Sequence, residues 1–435
     1  MNYALLHPVA RLLGGVALTL VVSASLAAEW PQFAGPNHDG STPDKVAGAW
    51  PEGGPKRLWK VPTPTGFSVF SVAGGCAYTL VSREADGALQ EVCLALDAAS
   101  GKELWATPLG IAKYDGGGDS GAPDNKGGDG PRSTPTVDGD RVYAFDGRLK
   151  LHCLNATDGQ PVWTKDFVQE LGAKGIQWQN AASPVIEGDL IFVCCGAPGK
   201  SLLGLKKTDG SIVWSGESDV PTHATPTLAT LHGGRQIVFF TRTGLVACET
   251  QTGKVLWRQA YRFSVSTAAS PVVSGDIVYC SAGYGVGTGA YRIAKDGDQW
   301  TSTEIWRITG DDLANHWSTP VVKDGFVYGI YGFKQYGKAA LKCVELATGK
   351  EKWSEAGFGP GGVVLAGGQL VVLNDRGELV LVAAQPEGYK ELARTQAVSG
   401  KCWNRPVVCG GRIYARSTAE GACLEVAPAV AARRE

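Results

Sequence analysis

The sequence predicts an all-β chain: an eight-bladed β-propeller of four-stranded antiparallel blades, its ring closed by an N-terminal strand. Three observations predict it. A glycine–tryptophan turn recurs along the chain, a serine/threonine–proline unit recurs upstream of it, and the composition is rich in glycine and poor in charge. Charged residues are 19% of the 435, against a usual share of about 25%. There are 59 glycines, and no 3.6-residue apolar period persists beyond residue 28. Short strands joined by tight turns account for all three.

The turn reads Ala99-Ser-Gly-Lys-Glu-Leu-Trp105, Thr157-Asp-Gly-Gln-Pro-Val-Trp163 and Thr208-Asp-Gly-Ser-Ile-Val-Trp214, then Thr252-Gly-Lys-Val-Leu-Trp257 and Thr348-Gly-Lys-Glu-Lys-Trp353. Glycine stands four residues before each tryptophan, supplying the positive φ of a tight hairpin. Trp306 follows a looser turn at Lys295-Asp-Gly-Asp298, and a degenerate strand surrounds Leu392. The upstream unit is Ser/Thr-Pro-x-Val, a polar-glycine turn, then an apolar pair ending in an aromatic, as in Thr134-Pro-Thr-Val-Asp-Gly-Asp-Arg-Val-Tyr143. Its aromatic slot holds Tyr78, Tyr143, Phe192, Phe239, Tyr279, Tyr328, Val372 and Tyr414. Eight slots give eight blades, each with four strands.

The eighth unit ends near Val426 without a fourth strand of its own. The missing strand is Lys56-Arg-Leu-Trp59-Lys-Val, which pairs beside the last blade and removes the exposed edges of an open array. The tryptophans expected to dock between blades are Trp59, Trp105, Trp163, Trp214, Trp257, Trp306 and Trp353. This divides the chain into residues 1–28, a leading segment 29–55, the propeller 56–427 and a tail 428–435.

Residues 1–28 read as a secretory signal peptide: Arg11, an apolar run over 12–20, then Ser25, Ala27 and Ala28. The apolar run is too short for a membrane span, and no cysteine ends it, so neither stable membrane insertion nor a lipid anchor is expected. The mature chain is expected in a periplasm or outside the cell, as a monomer. The net charge is −1 with no basic cluster, so nucleic acid is not an expected partner. An envelope protein or a small polar ligand is.

The segment Ala95-Leu-Asp97-Ala-Ala-Ser100-Gly101-Lys-Glu-Leu-Trp105 resembles the tryptophan-docking repeat of PQQ-type propellers, Ala-x-Asp-x-x-Thr-Gly-x-x-x-Trp. The opening Trp30-Pro-Gln-Phe33-Ala-Gly35-Pro36-Asn37 resembles the start of such proteins, and the likeness covers nearly all of the chain after residue 28. Members fall into two groups: quinoprotein dehydrogenases, which bind pyrroloquinoline quinone (PQQ) and calcium, and non-catalytic propellers similar to BamB, an outer-membrane assembly subunit. The resemblance implies a scaffold first, with no cofactor. A PQQ- and calcium-dependent dehydrogenase is the alternative, and a carbohydrate-binding or carbohydrate-active propeller a third. In the dehydrogenase group adjacent cysteines form a disulfide over the quinone, which makes Cys194 and Cys195 a possible vicinal pair, although strand neighbours point to opposite faces.

The chain holds eleven cysteines. Aligned by repeat, Cys153, Cys343 and Cys423 share a slot with Ala95, Gly204 and Ala247, where cysteine serves as a small hydrophobe. No haem attachment, zinc helix, Walker loop or nucleophile elbow is present, so no catalytic residue is assigned. The oxygen-rich stretch from Asp115 to Asp129 lacks the spacing of a calcium loop, reads as a solvated insertion, and leaves no metal site. The loops leading into the first strands share one face of a propeller. They carry Phe67, Arg132, Trp178, Gln179, Asn180, His223, His316, Trp317, Trp403, Asn404 and Arg405. This set differs from blade to blade in an otherwise regular repeat. It is expected to line a funnel for an anionic or polar ligand, with ordinary loop polarity as the alternative.

Overall fold

The structure is a computed structural model that describes residues 1, 29–112, 130–263, 265–332 and 335–428. Eight antiparallel sheets follow one another around a ring. Blade 1 is Ser71–Ala73, Cys76–Ala85, Ala88–Asp97 and Glu103–Ile111. Blades 2 to 7 repeat this order, their first strands starting at Thr136, Val185, Thr227, Val272, Val321 and Gly362. Blade 8 is Val407–Cys409, Arg412–Arg416 and Glu420–Glu425, completed by Lys56–Pro62. That last strand pairs antiparallel with Glu420–Glu425, Trp59 lying opposite Cys423, so the N-terminal strand closes the ring as expected. One short helix, Phe167–Leu171, follows blade 2; no helix among the described residues is long and apolar enough to cross a membrane.

One row of residues explains the sequence repeat. Across strands two, three and four, an aromatic, a small residue and a tryptophan lie side by side: Tyr78, Ala95 and Trp105 in blade 1, and Tyr143, Cys153 and Trp163 in blade 2. Phe192, Gly204 and Trp214 form the row in blade 3, and Tyr328, Cys343 and Trp353 in blade 6. The small residue leaves room for the two rings, whose centroids in these four blades are 5.8 to 6.1 Å apart. At Gly204 the room is absolute, since a Cβ there would stand 2.3 Å from the Trp214 indole nitrogen. A bulge beside this row re-aims each tryptophan toward the next blade.

There the indole N–H meets a carbonyl. Trp59 donates to Ala98 O at 3.0 Å, Trp105 to Ala156 O at 3.0 Å, and Trp214 to Thr250 O at 2.8 Å. Trp163, Trp306 and Trp353 donate likewise to Lys207, Leu346 and Gln385. The turn glycines have a second duty beyond their φ of about +70°. A Cβ on Gly253 would lie 2.5 Å from the Trp214 ring, and one on Gly159 2.6 Å from that of Trp105. The rings of Trp59, Trp105, Trp163, Trp214 and Trp306 rest on the bare glycine backbone of the next blade. Trp257 is the exception, donating to Gln236 of its own blade at 2.6 Å, because the next blade has the longer hairpin at Asp296–Gln299.

All eleven cysteines are free thiols. Cys195 packs in the cluster between blades 2 and 3 and Cys194 against the cluster between blades 3 and 4. The two thiols thus turn to opposite faces.

The leading segment does more than precede the ring. Trp30, fully buried, exchanges two backbone hydrogen bonds with Val72 at 2.8 Å, and Pro31 O accepts from Val137 N at 2.8 Å. Ser41–Thr42 then pairs parallel with Leu365 and Ala366 of blade 7, making that sheet five-stranded. The segment runs from blades 1 and 2 to blade 7 across the inner ends of the first strands. That closes the channel on one side.

Candidate functional site

The Ser/Thr-Pro unit builds a belt around the channel. Val69 N donates to Thr134 Oγ1 at 3.0 Å, Thr134 N to Ser183 Oγ at 2.9 Å, and Ser183 N to Thr225 Oγ1 at 2.9 Å. Ser270 N donates to Thr319 Oγ1 at 2.9 Å. One step inward, Thr136 and Thr227 hydroxyls donate to the Pro184 and Pro271 carbonyls at 2.6 and 2.7 Å. Each proline lacks an N–H to satisfy and offers only its carbonyl. Hydroxyl and proline together tie neighbouring first strands into a ring.

The belt lacks its hydroxyl in three adjoining blades, and the site lies beside them. By strand register the Ser/Thr position is Gly361 in blade 7, Arg405 in blade 8 and Val69 in blade 1. Beta carbons on Gly361 and Gly362 would collide with Leu373 O and with the Arg405 backbone, at 2.0 and 2.5 Å. These glycines let the blade 8 loop pass close by. Arg405, 5% exposed, extends across the gap, its Nη2 3.3 Å from Thr319 O of blade 6 and its guanidinium carbon 4.7 Å from the Phe33 ring centre. No carboxylate among the described residues lies within ion-pair reach of it; burial pushes its pKa down to about 10, with Asp39 acting the other way at a distance.

Around Arg405 opens a cavity with about 70 Å³ of space for the centre of a water molecule, enough for a handful of waters or one small molecule. Of the sequence-predicted residues, Phe67, Arg132, His223, Trp317, Trp403, Asn404 and Arg405 line it. Trp403 stacks on Phe67 at 5.1 Å and 9°, on Trp317 at 5.1 Å and on Tyr336 at 5.2 Å, with Lys401 Nζ 4.6 Å from its ring centre. Arg132 Nη1 donates to Trp178 O at 2.7 Å. Burial, aided by the Arg132 charge, pushes His223 down to about 4. The ring is neutral at pH 7, and since a carbonyl only accepts, His223 Nε2–H donates to Gln177 O at 3.0 Å.

Four predicted residues, Trp178, Gln179, Asn180 and His316, stand apart from the cavity lining. Trp178, at φ +64° beside Gln179 at +62°, faces His223 at 6.2 Å and lines a separate surface hollow with Lys174 and Arg242. Asn180 braces its own loop: its amide N lies 3.1 to 3.3 Å from the carbonyls of Phe145, Asp146 and Ala182, and its oxygen accepts from Ala182 N at 3.0 Å. His316 accepts from Gly283 N through Nδ1 at 3.1 Å and meets Trp317 edge-on at 5.1 Å. The 115–129 stretch and residues 2–28 lie outside the described residues.

Sequence reasoning missed Phe33, Ser318 and the glycines of blade 7. The signal was available: aligning the repeats by their first strand puts Gly361 and Arg405 where five blades carry Ser or Thr. Asn404, 7% exposed, has neither amide atom hydrogen-bonded, and Ser318, 8% exposed, has no partner for its hydroxyl among the described residues.

The family model described as "Outer membrane protein assembly factor BamB" matches residues 89–355. The chain belongs to this BamB-type, PQQ-repeat propeller family. BamB of Shewanella oneidensis is 24% identical over 264 residues, which cover 58% of this chain and 63% of that relative; the chain thus spans less than two thirds of the relative's length. The crystal structure of BamB from Moraxella catarrhalis superposes with a TM-score of 0.58 at 14% identity, over 85% of this chain and 99% of that one. Quinohemoprotein alcohol dehydrogenase from Comamonas testosteroni gives 0.61 at 14% identity, over 94% and 82%. At such identities both show a shared propeller fold and nothing finer. The cavity's own chemistry is more informative. Its lining holds no aspartate or glutamate among the described residues, while calcium takes oxygen ligands in which carboxylates are prominent. The residues present do not fit a calcium-bound quinone at this place.

Proposed function

We propose that this BamB-type propeller is an exported, non-catalytic scaffold of the cell envelope that takes part in outer-membrane protein assembly, with the cavity at the channel head as its recognition end. The observation that carries the reading is the make-up of that cavity. Two arginines, an unpartnered amide and hydroxyl, and stacked aromatics recognise a ligand. With His223 held neutral and its N–H committed to a backbone carbonyl, and no carboxylate among the described residues of the lining, those residues supply no general acid–base pair. Family membership and the leader at residues 1–28 support the envelope half, with an envelope protein or a small polar ligand as the partner.

The test is cross-linking of the tagged full chain inside its native cells. Cross-links to outer-membrane assembly subunits support the scaffold; a chain retained in the cytoplasm, or exported without such cross-links, overturns it. Turnover of alcohols or sugars by purified chain given PQQ, calcium and an artificial electron acceptor would overturn the non-catalytic half.

A further inference from the structure

We infer that the head of the channel is a binding slot for a small planar carboxylate. The inference rests on the reading of this cavity as a recognition end and names the chemistry recognised there.

Charge gives the sign of the ligand. Arg405 is almost wholly buried, with one long hydrogen bond to a carbonyl and the face of Phe33 for company. A buried cation is costly unless an anion accompanies it. Arg132 brings a second cation to the same wall, and Lys401 lies over the Trp403 ring. No aspartate or glutamate among the described residues lines the cavity, so the buried Arg405 charge attracts an entering anion.

Hydrogen bonding points to an oxyanion. Asn404 and Ser318 line the same cavity, both more than nine-tenths buried and both without partners among the described residues. Asn180, on an equivalent loop, bonds through both amide atoms instead. An orphaned amide and an orphaned hydroxyl beside a guanidinium are donors waiting for acceptor oxygens.

Shape gives the rest. Phe33 lies on the side of the leading segment, while Trp317 and Trp403 face the cavity from the loops of blades 6 and 8. Aromatic rings along the wall favour a flat apolar body and would leave a compact dianion such as phosphate poorly solvated. The space is that of one small molecule rather than a chain. A single-ring carboxylate meets every condition: oxygens to Arg405, Asn404 and Ser318, ring to the aromatics.

The probe is benzoate, titrated into the purified full chain, with benzamide as its neutral isostere and inorganic phosphate as a compact anion. Trp317 and Trp403 report binding through tryptophan fluorescence, and the melting temperature reports it independently. Saturable binding is expected, with benzoate at least tenfold tighter than benzamide and tighter than phosphate. Asn404→Ala and Ser318→Ala should each weaken benzoate five- to tenfold without lowering the melting temperature of the free protein, and Arg405→Met should abolish binding. If Arg405→Met fails to fold, Arg132→Met serves, with at least a tenfold loss expected. Equal affinity for benzoate and benzamide, tighter binding of phosphate, no binding by 10 mM, or unchanged affinity in both Asn404→Ala and Ser318→Ala would each overturn the slot. Failure of the scaffold reads out separately: envelope cross-links absent while benzoate still binds.

Discussion

Blades 2 to 6 and blades 7 to 8 are made from one four-strand unit, yet they treat the channel differently. In the first arc the residue before the proline is Thr134, Ser183, Thr225, Ser270 or Thr319, and four of these hydroxyls, all but that of Ser270, accept from the neighbouring strand. In the second arc that residue is Gly361 or Arg405, and the belt gives way to a cavity. The same arc lacks a docking tryptophan in blade 7, where Arg394 stands opposite Val380. Regularity builds the ring, and departure from it builds the site. A repeat protein can relax its pattern in adjacent blades because each blade bonds chiefly to its neighbours, and the Ser41–Thr42 strand added to blade 7 reinforces the weakened sector.

The largest effect expected from breaking this contrast is at the docking residues. Trp214→Ala removes a buried ring and its bond to Thr250, and should cost about 3–5 kcal/mol in denaturant unfolding. Arg394→Ala in blade 7, an exposed group paired with Glu378 and Glu391, should cost about 0–1 kcal/mol. Equal losses would mean that blade 7 docks as the others do.

Next comes acid. His223 titrates near 4 in the folded state because burial disfavours its charge, against 6.5 when unfolded. Its folded pKa is depressed, so its contribution is complete above pH 6.5 and is lost as pH falls toward 4. That amounts to about 3–4 kcal/mol at roughly 1.4 kcal/mol per unit. Melting curves of His223→Gln between pH 7 and 4 should therefore be flatter than those of the parent; parallel curves would contradict the neutral, buried ring.

Glycines divide in the same way. Gly253→Ala meets both the left-handed φ and the Trp214 face, whereas Gly275→Ala has the φ with open space around it. The first should be worse by about 1–2 kcal/mol. The smallest effect separates belt from cavity. Thr319→Ala loses the acceptor for Ser270 N and should cost about 1 kcal/mol, while Ser318→Ala next to it should be neutral or slightly stabilising.

The fold was legible because its determinants repeat. Tryptophan, small residue and aromatic fall at fixed spacings, and Lys56–Pro62 was identifiable as the strand the last blade lacks. The leading segment was legible only as a resemblance. Its route to blade 7 and the place of Phe33 depend on long-range packing of a stretch that occurs once. Of the site, the loops were readable and the directions of their side chains were not. Asn180 and Asn404 occupy similar loops, yet one is consumed by its own backbone and the other is left open. The difference lies in local φ, positive at Trp178 and Gln179, which folds the blade 3 loop back on itself.

Hydrogen–deuterium exchange of the full chain with and without saturating benzoate tests the central contrast most directly. Protection gained around residues 317–319, 361–362 and 403–405, with the docking turns of blades 3 and 4 at 208–211 and 251–254 unchanged, is the result expected if the site lies at the channel head. Protection spread evenly around the ring, or confined to blades 2 to 5, would contradict it.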